Sequence, residues 1–139
     1  MILRFSQLRG QRVLARENAQ LVGSVRRLLL DPPSVSVSGA QLEGVVGEAT
    51  ILPWSSVAAV GPDALMIEAP DVLQSPTSKI EEDIRRGTFD LEGKQVLSEL
   101  GDSLGHVEDV EFDERSGRLL RLDVPGHALP LERFVAIGP

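Results

Sequence analysis

The stretch that decides the fold is LGHVEDVEFDERSGRLLRLDV, residues 104–124. Within it, residues 109–113 read DVEFD and alternate acidic with apolar side chains, the period of two expected of a strand with one buried face. DERSG at 113–117 then indicates a tight turn, because Asp113 can accept hydrogen bonds from nearby backbone donors and Gly117 can adopt a positive φ. The stretch therefore predicts the first strand and the turn of a β-hairpin.

The return strand of this hairpin is predicted from the residues after the turn. Leu120, Leu122 and Val124 alternate with charged side chains, so we expect these three to face the core. Leu119 breaks the strict alternation, and we expect it to mark a β-bulge.

The hairpin belongs to the second of two similar copies in the chain. Three blocks recur in the same order with matching glycines and prolines. The paired blocks are LRGQRV (8–13) with LEGKQV (91–96), VGSVRRLLLD (22–31) with LGHVEDVEFD (104–113), and LPWSSVAAVGP (52–62) with LPLERFVAIGP (129–139). This order indicates an internal duplication.

The duplication divides the chain into residues 1–70 as copy one, 71–87 as a connector and 88–139 as copy two. The connector predicts a short helix, because Thr77 or Ser78 can cap its start and arginines precede Gly87 at its end.

These features resemble the PRC-barrel family, named after the cytoplasmic domain of the photosynthetic reaction centre H subunit. The resemblance is carried by LGHVEDVEFDERSGRLLRLDV (104–124) and by LPWSSVAAVGPDALMI (52–67). Copy one departs from the family pattern at Pro32-Pro33. The resemblance implies a mainly β fold: two tandem small β-barrels, or half-barrels that share a core, joined by a short α-helix.

The resemblance also implies a function in assembly or docking, with no catalytic residues to transfer. We therefore expect a non-catalytic protein-interaction module with an unidentified protein partner and a possible homodimer. Two alternatives stay open by analogy to relatives: an accessory role in ribosome maturation or RNA processing, and a peripheral role in a membrane-associated complex.

Composition limits the remaining possibilities. The chain of 139 residues has no cysteine, which excludes disulfides and thiolate chemistry, and no apolar run long enough to span a bilayer. The first residues lack the apolar core of a secretory signal, so we expect a cytoplasmic protein. The net charge is −7, with +2 on residues 1–62 and −9 on residues 63–139. This acidic excess argues against direct nucleic-acid binding.

An acidic run in copy two raises the question of a metal site. The run consists of Asp102, Glu108, Asp109, Glu111, Asp113 and Glu114. Calcium needs six to eight converging oxygens, which a flat strand face does not supply, and a glycine-centred ligand loop is missing. We therefore interpret them as a solvated strand face and expect no bound metal or cofactor. His106 and His127 have no partner nucleophile nearby in sequence, so we expect no enzymatic activity.

Six residues are candidates for partner binding: Arg26, Arg27, Trp54, Glu108, Asp109 and Glu111. Arg26-Arg27 occupies the position in copy one that Glu108-Asp109 occupies in copy two. One hypothesis is that the basic pair faces the acidic pair across an internal or a dimer interface. Trp54, the single tryptophan, is predicted to lie in the core or to close a barrel, with partner binding as the alternative.

Overall fold

The computed structural model describes residues 1–31, 36–97, 100–125, 127–130 and 136–138. Its strands, in chain order, are β1 Ile2–Arg4, β2 Arg12–Ala15, β3 Gln20–Asp31, β4 Ser36–Glu43, β5 Ile51–Pro53, β6 Val57–Val60, β7 Ala64–Ile67, β8 Gln95–Leu97, β9 Ser103–His106, β10 Asp109–Asp113, β11 Leu119–Val124, β12 His127–Pro130 and β13 Ala136–Gly138. Two α-helices, α1 Phe5–Leu8 and α2 Ser78–Arg85, and two 3-10 turns, Trp54–Ser56 and Pro70–Val72, complete the described elements. The fold is thus mainly β, as predicted.

The described strands form three sheets, and one of them combines strands from both parts of the chain. The strand orders are β5-β4-β3-β2-β7-β6, β1-β10-β11-β12 and β13-β8-β9. In the described residues none of these sheets closes into a barrel, so the predicted pair of closed barrels is not confirmed. The first strand, β1, pairs antiparallel with β10 near the other end of the chain, with Leu3 opposite Phe112.

A single large core joins residues of both copies. Phe112 on β10 is fully buried and meets two rings from the first copy edge-on: Phe5 with ring centroids 5.7 Å apart, and Trp54 at 5.3 Å. The indole Nε1 of Trp54 also donates to the carbonyl oxygen of Glu114, at 2.8 Å. Two small domains would each bury little apolar surface, whereas a shared core buries more. The predicted boundaries at 70 and 88 themselves stay a prediction.

The hairpin of β10 and β11 has the predicted turn. Asp113 Oδ1 accepts from the backbone N–H groups of Arg115 and Ser116 at 2.8 and 3.0 Å, and Gly117 has a φ of 76°. These hydrogen bonds favour the ionised carboxylate, led by the one from Ser116, and they lower the pKa of Asp113.

The return strand β11 corrects one detail of the prediction. The register between β10 and β11 shifts after Glu111, because Glu111 lies opposite Arg121 and Phe112 opposite Leu119. The extra residue of the bulge is therefore Leu120, one position after the expected Leu119. Because of this bulge Leu119 is buried, together with Leu122 and Val124, while Leu120 is only half-buried. The prediction that Leu120 faces the core was wrong, since one extra residue in a strand reverses the alternation.

The connector contains the predicted helix. Thr77 caps α2 by accepting a hydrogen bond from the backbone N–H of Ile80 at 3.2 Å. Ile80 and Ile84 pack against a small second cluster of buried residues, Leu29, Ile51 and Phe89. The helix therefore packs on the surface of the first copy and leads into residues 89–92.

Equivalent hydrogen bonds occur at the aligned positions of the two copies. In copy one Gly10 N donates to Val25 O, and Val25 N to Gln11 O, both at 2.8 Å. In copy two the matching pairs are Gly93 N to Val107 O at 2.7 Å and Val107 N to Lys94 O at 2.9 Å. The duplication stays a prediction. Equivalent backbone hydrogen bonds at aligned positions are what a duplication would produce. Pro32-Pro33, where copy one departs from the family pattern, lies outside the described residues.

Candidate functional site

Among the residues with described positions, the two copies meet at two charged contacts, each made by a segment of one copy on a strand of the other. We call the first the closed seam, formed by Arg4 and Ser6 of copy one with Asp109, Glu111 and Asp123 of copy two. Arg4 Nη2 lies 2.7 Å from Glu111 Oε1, and its Nη1 contacts Asp123 Oδ2 and lies 3.7 Å from Asp109 Oδ2. Ser6 donates to Asp109 from its backbone N at 3.1 Å and from its hydroxyl at 2.5 Å.

The closed seam explains what the acidic strand face does. Asp109 and Glu111 point away from the core, as the alternation predicted, yet each side chain is only 14% exposed because Arg4 covers them. The hydrogen bond with Asp123, followed by the attraction of the three carboxylates, raises the pKa of Arg4. Among the residues with described placement, no group of three or more histidine, aspartate or glutamate side chains is arranged to hold a metal ion.

The second contact, the open seam, is formed by Arg9, Arg26 and Arg27 of copy one with Asp90 and Glu92 of copy two. Arg9 pairs closely with Glu92, whereas Arg27 Nη1 lies 3.7 Å from Asp90 Oδ1. Arg26 is exposed and makes no ion pair with any residue in the described part of the chain.

A β-bulge positions the two arginines of this pair differently. Val25 lies opposite Leu42 and Arg27 opposite Gln41, so Arg26 is the additional residue on β3 and points outward. Arg27 stays half-buried, and its Nε has no hydrogen-bond partner among the described residues. Gln41 lies opposite Arg27 on β4, and its Oε1 is likewise buried without a hydrogen-bond partner among the described residues. Because buried polar atoms are nearly always paired, the open seam has unused hydrogen-bonding capacity.

A pocket of about 330 Å³ lies at the open seam. Its buried apolar lining comes from both copies, with Phe5, Val25 and Leu28 from one and Phe89 and Leu91 from the other. The charged lining is the five residues of the open seam, three basic and two acidic. A volume near 300 Å³ is at the small end of protein binding pockets, enough for one or two amino-acid side chains.

The structure places the predicted site residues at the open seam, at or next to the closed seam, and in the core. Arg26 and Arg27 line the open-seam pocket, while Asp109 and Glu111 lie in the closed seam. The basic pair and the acidic pair therefore do not meet within this chain, so the internal form of that hypothesis is not observed.

The other two candidates differ in exposure. Glu108 is exposed next to the closed seam. Trp54 is only 6% exposed and belongs to the shared core. Its position agrees with the interpretation of this ring as a core residue.

Sequence reasoning missed the residues that cover the two strands: Arg4, Ser6, Arg9, Asp90 and Glu92. They lie just before or within the aligned L-x-G blocks, at residues 8–13 and 91–96. The alignment predicted that the segments around residues 8–13 and 91–96 are equivalent. It did not predict that each of these segments packs on a strand of the other copy.

A comparison with known protein families gives a match over the C-terminal part of the chain. No helix in the described part of the chain is long and apolar enough to cross a membrane. A search of curated proteins finds no match to the chain. Residues 86–138 match the profile of the PRC-barrel domain, and this range contains the hairpin of β10 and β11 on which the resemblance was based. The C-terminal part of the chain, residues 86–138, is therefore similar to the PRC-barrel domain.

Proposed function

We propose that this protein is a non-catalytic protein-interaction module in which two half-barrels share one core and a protein partner binds at the open seam. The observation that carries the proposal is the pocket beside Arg26 and Arg27. Their charge is only partly neutralised, and apolar side chains from both copies form the lining. The PRC-barrel match at residues 86–138 fits an interaction module in general terms.

The composition of the open seam favours a protein partner. Specific interfaces combine an apolar centre with a polar rim and are enriched in arginine. Here buried Phe89 and Leu91 lie beside exposed Arg26.

Site-specific crosslinking of the purified, labelled protein in an extract of the native cell tests this function. Because the chain has no cysteine, Asp90→Cys introduces a single attachment point for a photo-crosslinker at the open seam. Glu17→Cys, in the exposed turn between β2 and β3, is the matched control. We expect a discrete protein adduct from position 90 that is absent from position 17. Absence of any adduct at position 90, together with a small-molecule or catalytic activity of the purified protein, would contradict the function.

We further propose a homodimer through the outer edge of β6, which pairs with β7 and with no other strand in the described residues. This strand ends the six-stranded sheet and reads VAAV, without charge or proline. Gly61 N donates to Ala64 O at 2.9 Å, and bonded pairs alternate along an antiparallel ladder, so the N–H and C=O of Val60 face away from β7. An uncharged strand edge with exposed backbone groups is a template for pairing with a second copy.

Sedimentation velocity tests the dimer. Val60→Pro removes an outward N–H while leaving the ladder to β7, and Ala58→Lys adds a charge at an exposed position of the same strand. We expect both variants to be monomers at concentrations where the unmodified chain is a dimer. A control, Ser38→Lys on the interior strand β4, keeps the dimer. A monomeric unmodified chain would refute the dimer.

A further inference from the structure

The two seams occupy related positions in the two copies. Arg27 on β3 aligns with Asp109 on β10, and residues 89–92 align with residues 6–9. In the closed seam the segment from copy one covers Asp109, and in the open seam the segment from copy two approaches Arg27. The molecule therefore contains two versions of one contact, and the first shows what a fully paired version looks like.

Charge and packing differ between the two versions. In the closed seam the strand is acidic and the covering Arg4 reaches three carboxylates, with Ser6 adding two hydrogen bonds to Asp109. In the open seam the strand is basic, and the covering segment offers Arg27 one carboxylate at 3.7 Å. The open seam thus lacks carboxylate oxygens relative to its closed counterpart.

The side chains around Arg26 and Arg27 indicate which kind of group would supply the missing carboxylate oxygens. Arg26 and Arg27 are the basic residues with unused capacity, and the second acid of the seam, Glu92, is already paired with Arg9. Phe89 and Leu91 make the neighbouring wall apolar. An arginine fork matches a carboxylate in two parallel hydrogen bonds, and the apolar wall favours a hydrocarbon group next to that carboxylate.

We propose that the open seam binds an acidic side chain flanked by an apolar one, presented by a segment of the partner protein. The carboxylate lies between Arg26 and Arg27, and the apolar side chain lies against Phe89 and Leu91. This inference rests on the proposed interaction function and specifies the chemistry of the partner. It also explains why a chain of net charge −7 places adjacent arginines at an apolar pocket.

A titration followed by NMR tests the chemistry directly. The probe is an acetylated, amidated peptide with the repeat Leu-Glu, and the matched control peptide carries Gln in place of Glu. We expect the Leu-Glu peptide to shift the Arg27 Nε–H signal and the backbone amides of residues 25–28 and 89–92. The Gln peptide should bind at least about tenfold more weakly, since charge-assisted hydrogen bonds are lost.

Variants assign the effect to the seam. Arg27→Gln and Arg26→Gln should each weaken binding of the Leu-Glu peptide about fivefold or more. The Arg26→Gln variant distinguishes a loss of binding from a folding defect, because the exposed Arg26 side chain can be replaced without disturbing the core. Arg16→Gln removes an arginine that pairs with Glu68 away from the pocket and should leave binding unchanged.

Three results would overturn the proposal: no shift at the seam up to about 5 mM peptide, equal binding of the two peptides, or binding of hexanoate in the absence of peptide binding. The last result would assign the pocket to a free small acid. A crosslinked partner at position 90 together with any of these results would preserve the interaction function and reject only the carboxylate chemistry.

Discussion

Replacing Phe112 by leucine tests whether the two copies share one core. The Phe112 ring is fully buried and meets Phe5 and Trp54 edge-on, at interplanar angles of 75° and 74°. Each such aromatic pair contributes about 0.5–1.5 kcal/mol beyond area burial, so loss of both pairs costs about 1–3 kcal/mol. The shape change from Phe to Leu adds up to about 1.5 kcal/mol. We therefore expect Phe112→Leu to lower the free energy of unfolding by about 1–4.5 kcal/mol.

Urea unfolding followed with two probes measures this effect. Fluorescence of Trp54, the single tryptophan, reports on the contact itself, and far-UV circular dichroism reports on all the strands. With one core, the two transitions coincide in the variant as well as in the unmodified chain. The control is Phe89→Leu, because Phe89 is buried but its ring pairs with no other aromatic ring in the described residues. We expect that control to cost less than about 1.5 kcal/mol.

Two results would refute the reasoning about the shared core. One is a Phe112→Leu variant that loses no more stability than Phe89→Leu. The other is a separation of the two transitions, with tryptophan fluorescence changing before the circular dichroism signal.

Three further changes have defined outcomes. A Cβ on Gly117 would lie 2.5 Å from the carbonyl oxygen of Val37, whereas one on Gly93, at a similar positive φ, meets nothing within 4 Å. Chemical denaturation should therefore show a larger loss of stability for Gly117→Ala than for Gly93→Ala, and equal losses would show that the close approach is unimportant. The lowered pKa of Asp113 adds stability that is complete above its unfolded value near 3.8 and is lost as pH falls through the folded value. Asp113→Asn should flatten the decline of the melting temperature below about pH 4, and an unchanged acid profile would contradict this. Thr77→Ala removes the cap of α2 and should cost about 0.5–2 kcal/mol by urea unfolding, while Thr77→Ser, which keeps the hydroxyl, should cost less.

The hairpin of β10 and β11 was predictable because local chemistry specifies it. The alternation of residues 109–113, the Asp113 turn and a bulge next to Leu119 follow from side-chain period and from hydrogen bonds within a few residues. Only the direction of Leu120 was misassigned, because a bulge reverses the alternation at a point that the sequence locates to within a residue.

The seams could not be predicted in the same way. A period of two tells which side of β10 carries Asp109, but it does not tell what lies on that side. Arg4 is separated from Asp109 by more than 100 residues, and nothing in a single sequence specifies that contact. The duplication suggested a different contact. It aligned Arg26-Arg27 with the acidic pair Glu108-Asp109, and from this alignment we predicted that the two pairs face each other. The observed contacts depend on tertiary packing: Arg4 lies beside Asp109, and Asp90 lies beside Arg27.

Native-state hydrogen exchange tests the central claim most directly. This claim is that the two copies form one cooperative unit, in which a segment of each copy packs on a strand of the other. The backbone N–H of Val25 bonds to Gln11 O, and its counterpart, the N–H of Val107, bonds to Lys94 O. Both residues are buried in the shared core, so we predict that both amides exchange through the same global opening. Their opening free energies should then agree within about 0.5 kcal/mol and fall equally with added denaturant. Opening of one amide at a free energy more than about 1 kcal/mol below the other would contradict the shared core.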